Sequence, residues 1–188
     1  MEIVAGTARG LTLSSPGEHD AVRPTSVRAR RAFFDSLGDD ISGAVFADIF
    51  AGSGAMGLEA ASRGASAVYF FESELNVLKI IERNCGKAAH AGVQTAFRLI
   101  RGAVPPFRTD LSRLKAPGIV FADPPYAESM QFLKAVTADP RFRVWAGNAL
   151  FFWELPERDC SLEVPAEPWK IVTIRNFGAA RFLELKCV

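Results

Sequence analysis

From Val45 onward the chain alternates short, nearly unbroken apolar runs with amphipathic stretches. VFADIF (45–50) reads as a first strand, followed by a glycine-rich loop and a helix through Arg63. AVYFFE (67–72) is the second strand, with a helix over about 74–89 after it. QTAFRLI (94–100) is a weaker third and GIVFAD (118–123) a fourth, followed by a helical stretch near 129–136; NALFFWEL (148–155) comes next. The chain closes with WKIVTIRNFGAARFLELKC, two strands joined around Asn176–Gly178, the pattern of an antiparallel hairpin. Strands apolar along their whole length are buried on both faces, and their alternation with helices predicts a mostly parallel sheet covered on both sides. The expected architecture is one doubly wound α/β domain.

The upstream segment has a different pattern. EIVAG and LTL flank the turn-like TARG and predict an N-terminal hairpin. Pro24 disfavours helix at Arg23, and Thr25 or Ser26 is placed to cap a helix beginning VRARRAFFDSL. Val27, Phe33, Phe34 and Leu37 form its apolar side, Arg28 and Arg31 face together, and residues 38–43 form the exit. The division expected is an N-terminal extension over 1–43 and a main domain over 44–188.

Composition narrows the class. With 188 residues, 49% hydrophobic and 23% charged, the chain has enough apolar material for a full core and little room for long disorder. No apolar stretch approaches the roughly 20 residues of a membrane span, and the start shows no signal-peptide pattern. Three cysteines without a C-x-x-C pair, and two histidines, argue against a disulfide framework or a metal site; a reducing cytoplasm is the expected compartment. Net charge is +1, yet Arg23, Arg28, Arg30 and Arg31 cluster, with Arg9 upstream. That cluster is either a local site for an anionic ligand or a solvated helix face.

Two stretches carry candidate chemistry. In DIFAGSGAMGLEA, Gly52, Gly54 and Gly57 form a G-x-G-x-x-G loop between strand and helix, which lets backbone approach a ligand closely. Glu72 ends the next strand, where an acid accepts hydrogen bonds from a ribose diol; the plainer reading is a solvated loop acid. The loop lacks the Lys of a phosphate-binding P-loop. NAD(P) fits the glycines, but Asp48 just before them would repel a pyrophosphate and suit an ammonium. S-adenosylmethionine has that ammonium, a ribose and no phosphate, and is favoured; Asp48 as a cap of the loop is the alternative. The second stretch, Asp123-Pro124-Pro125-Tyr126, ends the fourth strand at the same sheet edge. Asp123 and the Pro124 carbonyl, held rigid by Pro125, are acceptors for an exocyclic amine, and the Tyr126 ring offers a base a stacking face. The plainer reading is a proline-rich strand exit.

DPPY resembles the motif of S-adenosylmethionine-dependent methyltransferases that modify exocyclic amines of nucleobases. The whole chain resembles the RsmD family through IVAGTARGLTL, VRPTSVRARRAFFDSL, DIFAGSGAMGLEAASRGA, FFE, VFADPPY and IRNFGAARFLEL. The resemblance implies a Rossmann-like class I methyltransferase fold: a mostly parallel seven-stranded sheet with a C-terminal antiparallel hairpin and a small N-terminal hairpin and helix. It implies methyl transfer from S-adenosylmethionine to N2 of a guanine in 16S rRNA, guanine 966, within the small ribosomal subunit, by a monomeric cytoplasmic enzyme. Asp48, Phe50, Gly52, Ser53, Gly54 and Glu72 would bind the cofactor. Asp123, Pro124, Pro125 and Tyr126 would hold the guanine, and Arg9, Arg23, Thr25, Arg28 and Arg30 would lie toward RNA. Val27 and Arg31 stand where the family has Asp and Glu, and Arg101-Gly102 replaces the Asp or Asn that reaches adenine. A DNA amino-methyltransferase, or an inactive cofactor-binding assembly factor, would share these motifs; the little room the chain leaves for a target-recognition domain disfavours the first, and the intact Asp123 and Tyr126 argue against the second.

Overall fold

The computed structural model describes residues 1–15, 27–155, 165–178 and 180–188. Seven strands form one sheet in the order β3-β2-β1-β4-β5-β7-β6. These are β1 (Val45–Asp48), β2 (Ala67–Glu72), β3 (Ala96–Arg101), β4 (Ile119–Ala122), β5 (Leu150–Leu155), β6 (Trp169–Phe177) and β7 (Ala180–Cys187). β3 through β5 run parallel, while β7 is antiparallel to both β5 and β6. This is the architecture expected from the sequence. The helices are α1 (Val27–Leu37), α2 (Ala55–Ser62), α3 (Leu75–His90), α4 (Ser129–Ala138) and α5 (Pro140–Ala146). α5 is not apparent in the sequence pattern; Pro140 starts it and the Asp139 side chain caps it by accepting from the Arg141 N–H at 2.8 Å.

Strand alternation sorts the aromatic residues onto two faces. Phe46, Phe70, Phe121, Phe152 and Phe182 face α1, α2 and α3, whereas Phe71, Phe151, Trp153 and Leu183 face α4 and α5. Adjacent residues such as Phe70 and Phe71 therefore serve different cores, which is why these strands read as continuous apolar runs. Phe33 of α1 centres the first face, with its ring 5.0 Å from Phe152 and 5.4 Å from both Phe121 and Phe182. Phe34 and Leu37 are buried beside it as expected, but Val27 is exposed and Ala29 and Arg30 are buried in its stead. The C-terminal strands carry a bulge between Ile171 and Thr173 that leaves Val172 outward on the edge.

The N-terminal hairpin closes through the Ile3 N–H to Leu11 carbonyl bond (3.0 Å) and the Leu13 N–H to Met1 carbonyl bond (2.8 Å). It is not a loose appendage: Ile3, Ala8 and Leu13 are buried in the same core as Phe46 and Ile81. Polar side chains of α2 and α3 clamp its backbone. Glu59 accepts the Val4 and Ala5 N–H groups, Ser62 bonds Ala5 and Ala8, and Asn84 both donates to and accepts from Ser14.

Candidate active site

The chain runs from β1 outward to β2 and β3, then crosses back to place β4 on the other side of β1. Loops leaving β1 and β4 consequently diverge and open a crevice at their carboxyl ends, the place where open α/β sheets bind ligands. Every element of the candidate site sits at this edge.

The glycines of the first loop have separate duties. Gly52 and Gly54 take positive φ values of 50° and 76°, conformations that a side chain disfavours. Gly57 lies within α2 against β2, and a Cβ there would fall 2.3 Å from the Phe70 ring. Two glycines thus turn the loop and the third lets helix and sheet approach. Asp48 precedes the loop, almost wholly buried, and its Oδ2 accepts the Gly57 N–H at 3.2 Å. Burial pushes its carboxyl up to about 7; the nearby Glu72 charge adds to the rise and the Gly57 N–H opposes it. Glu72 reaches across from β2: its Oε2 accepts the Gly52 N–H at 3.0 Å, and Oε1 accepts the Glu74 N–H at 3.0 Å. Both acids therefore shape the loop, and a carboxylate has lone pairs left for a ligand.

On the β4 side, Asp123 is half-buried, Pro124 buried and Pro125 exposed. Proline at both positions restricts φ and removes donors. The Pro125 carbonyl accepts the Glu128 N–H at 3.2 Å, while among the described residues no donor reaches the Pro124 carbonyl. The following turn is anchored by Ser129, whose buried hydroxyl accepts the Trp153 indole N–H at 3.0 Å.

Between these two loops lies a cleft of about 640 Å³, within the range of small-molecule sites. It brings together Asp48, Phe50, Gly52, Ser53, Glu72, Asp123, Pro124 and Pro125. Gly54 turns the loop without lining the cleft. Gly102, Ala103 and Val104 wall it beyond β3. Apolar residues complete it, notably Phe132 of α4, stacked 5.7 Å from Phe50. Sequence reasoning missed Phe132, Phe71 and Met56 because a ligand-facing apolar side chain has the same periodicity as a core one.

The arginine set is divided by the structure. Arg9 in the hairpin turn and Arg28 on α1 are exposed and outside the cleft. Arg30 is not an exposed cation: it is fully buried, 3.6 Å from Glu59, donates to the Met1 sulfur and the Glu2 carbonyl, and lines the cleft beside Asp48 and Asp123. Its position three and four residues before Phe33 and Phe34 puts it on the buried face of α1, where the Glu59 carboxylate and the bonds to Met1 and Glu2 offset its desolvation. Burial lowers its pKa, and the Glu59 carboxylate counters that shift. Arg23 and Thr25 lie outside the described residues, as does the Tyr126 side chain, although Tyr126 begins the turn Tyr126–Glu128.

Comparison with known proteins agrees with this layout. Ribosomal RNA small subunit methyltransferase D of Escherichia coli (strain K12) is 34% identical over 133 residues, 69% of this chain and 62% of that protein. The solved structure of a hypothetical protein from Thermus thermophilus covers 100% of this chain and 99% of its own, with a TM-score of 0.76 at 27% identity. An RNA methyltransferase from Salinibacter ruber, solved in complex with S-adenosyl-L-homocysteine, shares the fold at a TM-score of 0.60 and 14% identity, over 86% of this chain and 91% of its own. The model of the family described as Conserved hypothetical protein 95 matches residues 1–186. With that match spanning nearly its whole length, the chain belongs to this family, the RsmD family.

Proposed function

We propose that this protein is an S-adenosylmethionine-dependent rRNA methyltransferase that modifies the exocyclic N2 amine of a guanine in 16S rRNA, guanine 966. The observation that carries the reading is the shared cleft: a glycine loop with two acids on one side and Asp123-Pro124 on the other. The family relationship supports it, since relatives bear the name ribosomal RNA small subunit methyltransferase D.

The donor set fits the cofactor. Two carboxylates beside a glycine loop disfavour a pyrophosphate, whereas Glu72 suits a ribose diol and Asp48 an ammonium. The Gly52 and Ser53 backbone approaches the ligand closely, and Phe50 with Phe132 forms an apolar wall. When bound, S-adenosylmethionine supplies an electrophilic methyl group.

Asp123 and the Pro124 carbonyl then serve the acceptor. The amine lone pair of guanine is delocalised into its ring, so hydrogen bonds from its N–H groups to two fixed oxygens orient the nitrogen for in-line attack. The amine becomes acidic only as the new N–C bond forms, and its proton passes to water afterwards. Asp123 therefore orients and stabilises more than it abstracts. Tyr126 stacks on the base. Arg9, Arg23, Thr25 and Arg28 lie toward the RNA, and the enzyme acts as a cytoplasmic monomer on the small subunit.

The test is single-turnover methylation of unmodified small subunits, free 16S rRNA and DNA. Asp123→Ala should lose nearly all transfer with S-adenosylmethionine affinity kept, and Tyr126→Phe should be milder than Tyr126→Ala. A folded Asp123→Ala enzyme working near the wild-type rate overturns the mechanism, and preference for DNA overturns the substrate.

A further inference from the structure

A second concave surface lies outside the catalytic cleft, between α3 and the N-terminal hairpin. α3 buries Leu78, Ile81, Asn84, Cys85 and Ala88. Its exposed side carries Lys79, Arg83, Lys87 and His90. Spacings of four, four and three residues place these groups on one helical face. Over eleven residues the row extends about 16 Å. It begins one turn into the helix, which itself starts three residues after Glu72, and runs away from the catalytic edge.

The row borders a groove of about 650 Å³ lined by Leu11, Arg83, Gly86, Lys87, His90 and Ala91. The Lys87 ammonium is fixed at the hairpin side, donating to the Ser14 hydroxyl at 3.0 Å and the Thr12 carbonyl at 3.3 Å. Arg83 folds back on its own helix, its Nε donating to the Lys79 carbonyl at 3.3 Å. Among the described residues neither Lys79 nor Arg83 forms an ion pair. The nearest acid on the helix, exposed Glu82, lies to one side of the row. On a chain of net charge +1, this is a local excess of positive charge beside a floor of Leu11, Gly86 and Ala91.

We propose that this groove is a docking surface for the sugar–phosphate backbone of the RNA substrate, remote from the methylated base. Three cations, Lys79, Arg83 and Lys87, in a row along an apolar floor match a polymer that alternates regular negative charges with less polar sugars and bases. An isolated anion would need one convergent cluster, and this surface has a line. The contact extends the footprint well past the target nucleotide, so a short oligonucleotide holding only the target would be a poor substrate. The inference rests on the rRNA methyltransferase reading.

The test uses the full chain with Lys79→Ala/Arg83→Ala, leaving Lys87 to hold the hairpin. Arg143→Ala, an exposed cation on α5 across the sheet, is the control. Binding to unmodified naked 16S rRNA and to assembled small subunits is measured across a salt series, and methyl transfer on small subunits alongside it. Loss of two phosphate contacts should weaken RNA binding about tenfold near 0.15 M salt and reduce the log–log salt slope by roughly 1.4. KM for RNA should rise with kcat and cofactor affinity unchanged, and the control should match wild type. An unchanged slope and affinity overturn the proposal. So does weakened binding to assembled subunits with normal binding to naked rRNA, which would identify a protein partner. A wild-type chain that neither binds nor methylates rRNA defeats the underlying functional reading instead.

Discussion

Asp48 shows how one buried side chain sets a measurable pH dependence. Its carboxyl is pushed up to about 7 from an ordinary value of 3.8. The unfolded chain therefore releases this proton at lower pH than the folded one, so Asp48's contribution to stability is fully present below 3.8 and fades as pH rises through about 7. Cofactor binding should run the other way. An ammonium beside Asp48 favours its ionised form, so affinity should rise with pH up to about 7 and then level off, with proton release on binding below that point. Calorimetry in buffers of different ionisation enthalpy measures that release, and Asp48→Asn should abolish both it and the pH dependence. The sequence identified Asp48 and Glu72 as acids at strand ends, because their positions follow from strand length alone. It could not show that both also hold the loop through the Gly57 and Gly52 N–H groups. Asp48 caps the loop through the Gly57 N–H and also lines the cleft, so its geometry allows both the cap and the ligand role.

At the scale of elements, the N-terminal hairpin is where pattern and structure diverge most. The hairpin is legible from TARG between apolar runs, although its arms meet at the single Glu2–Thr12 bridge and form no strands; its docking is not legible. Glu59, Ser62 and Asn84 look like ordinary polar helix positions, and only contact with residues 54 to 70 places away in sequence makes them clamps. Gly6 marks how tight the contact is. It has a φ of 78°, and a Cβ there would lie 1.8 Å from the Ser62 carbonyl oxygen. Because the obstacle is backbone, it cannot swing aside. Gly6→Ala should displace the turn and cost roughly 3 kcal/mol or more, whereas Gly10→Ala, with nothing nearby, bears only the cost of its own positive φ. Chemical denaturation of the two variants reads the difference, and equal stabilities would show that the docked turn contributes nothing.

Across the whole molecule, the Arg30–Glu59 pair joins hairpin, α1 and α2. Glu59 also accepts from Arg63 at 2.9 Å, and Arg63 continues to Asp35 at 2.7 Å. Arg30→Ala would strand part of this buried network and should cost about 3–5 kcal/mol, while Arg28→Ala should stay within about 0.5 kcal/mol. Thermal and denaturant unfolding check the contrast; comparable losses would place Arg28 in the network too. The sequence alone determined the type and order of the strands and most helices, the glycine loop and the acids at its ends. These are readable because burial on one face or two imprints a local period, and tight turns demand glycine. Tertiary structure decided what local pattern cannot encode. It set the crossover that places β4 beside β1, and so the cleft joining Asp48 to Asp123. It also decided which arginine of a cluster faces inward, because Arg30 is held by a carboxylate 29 residues away. Such choices depend on which distant groups meet once the sheet closes, and no period in the chain records them.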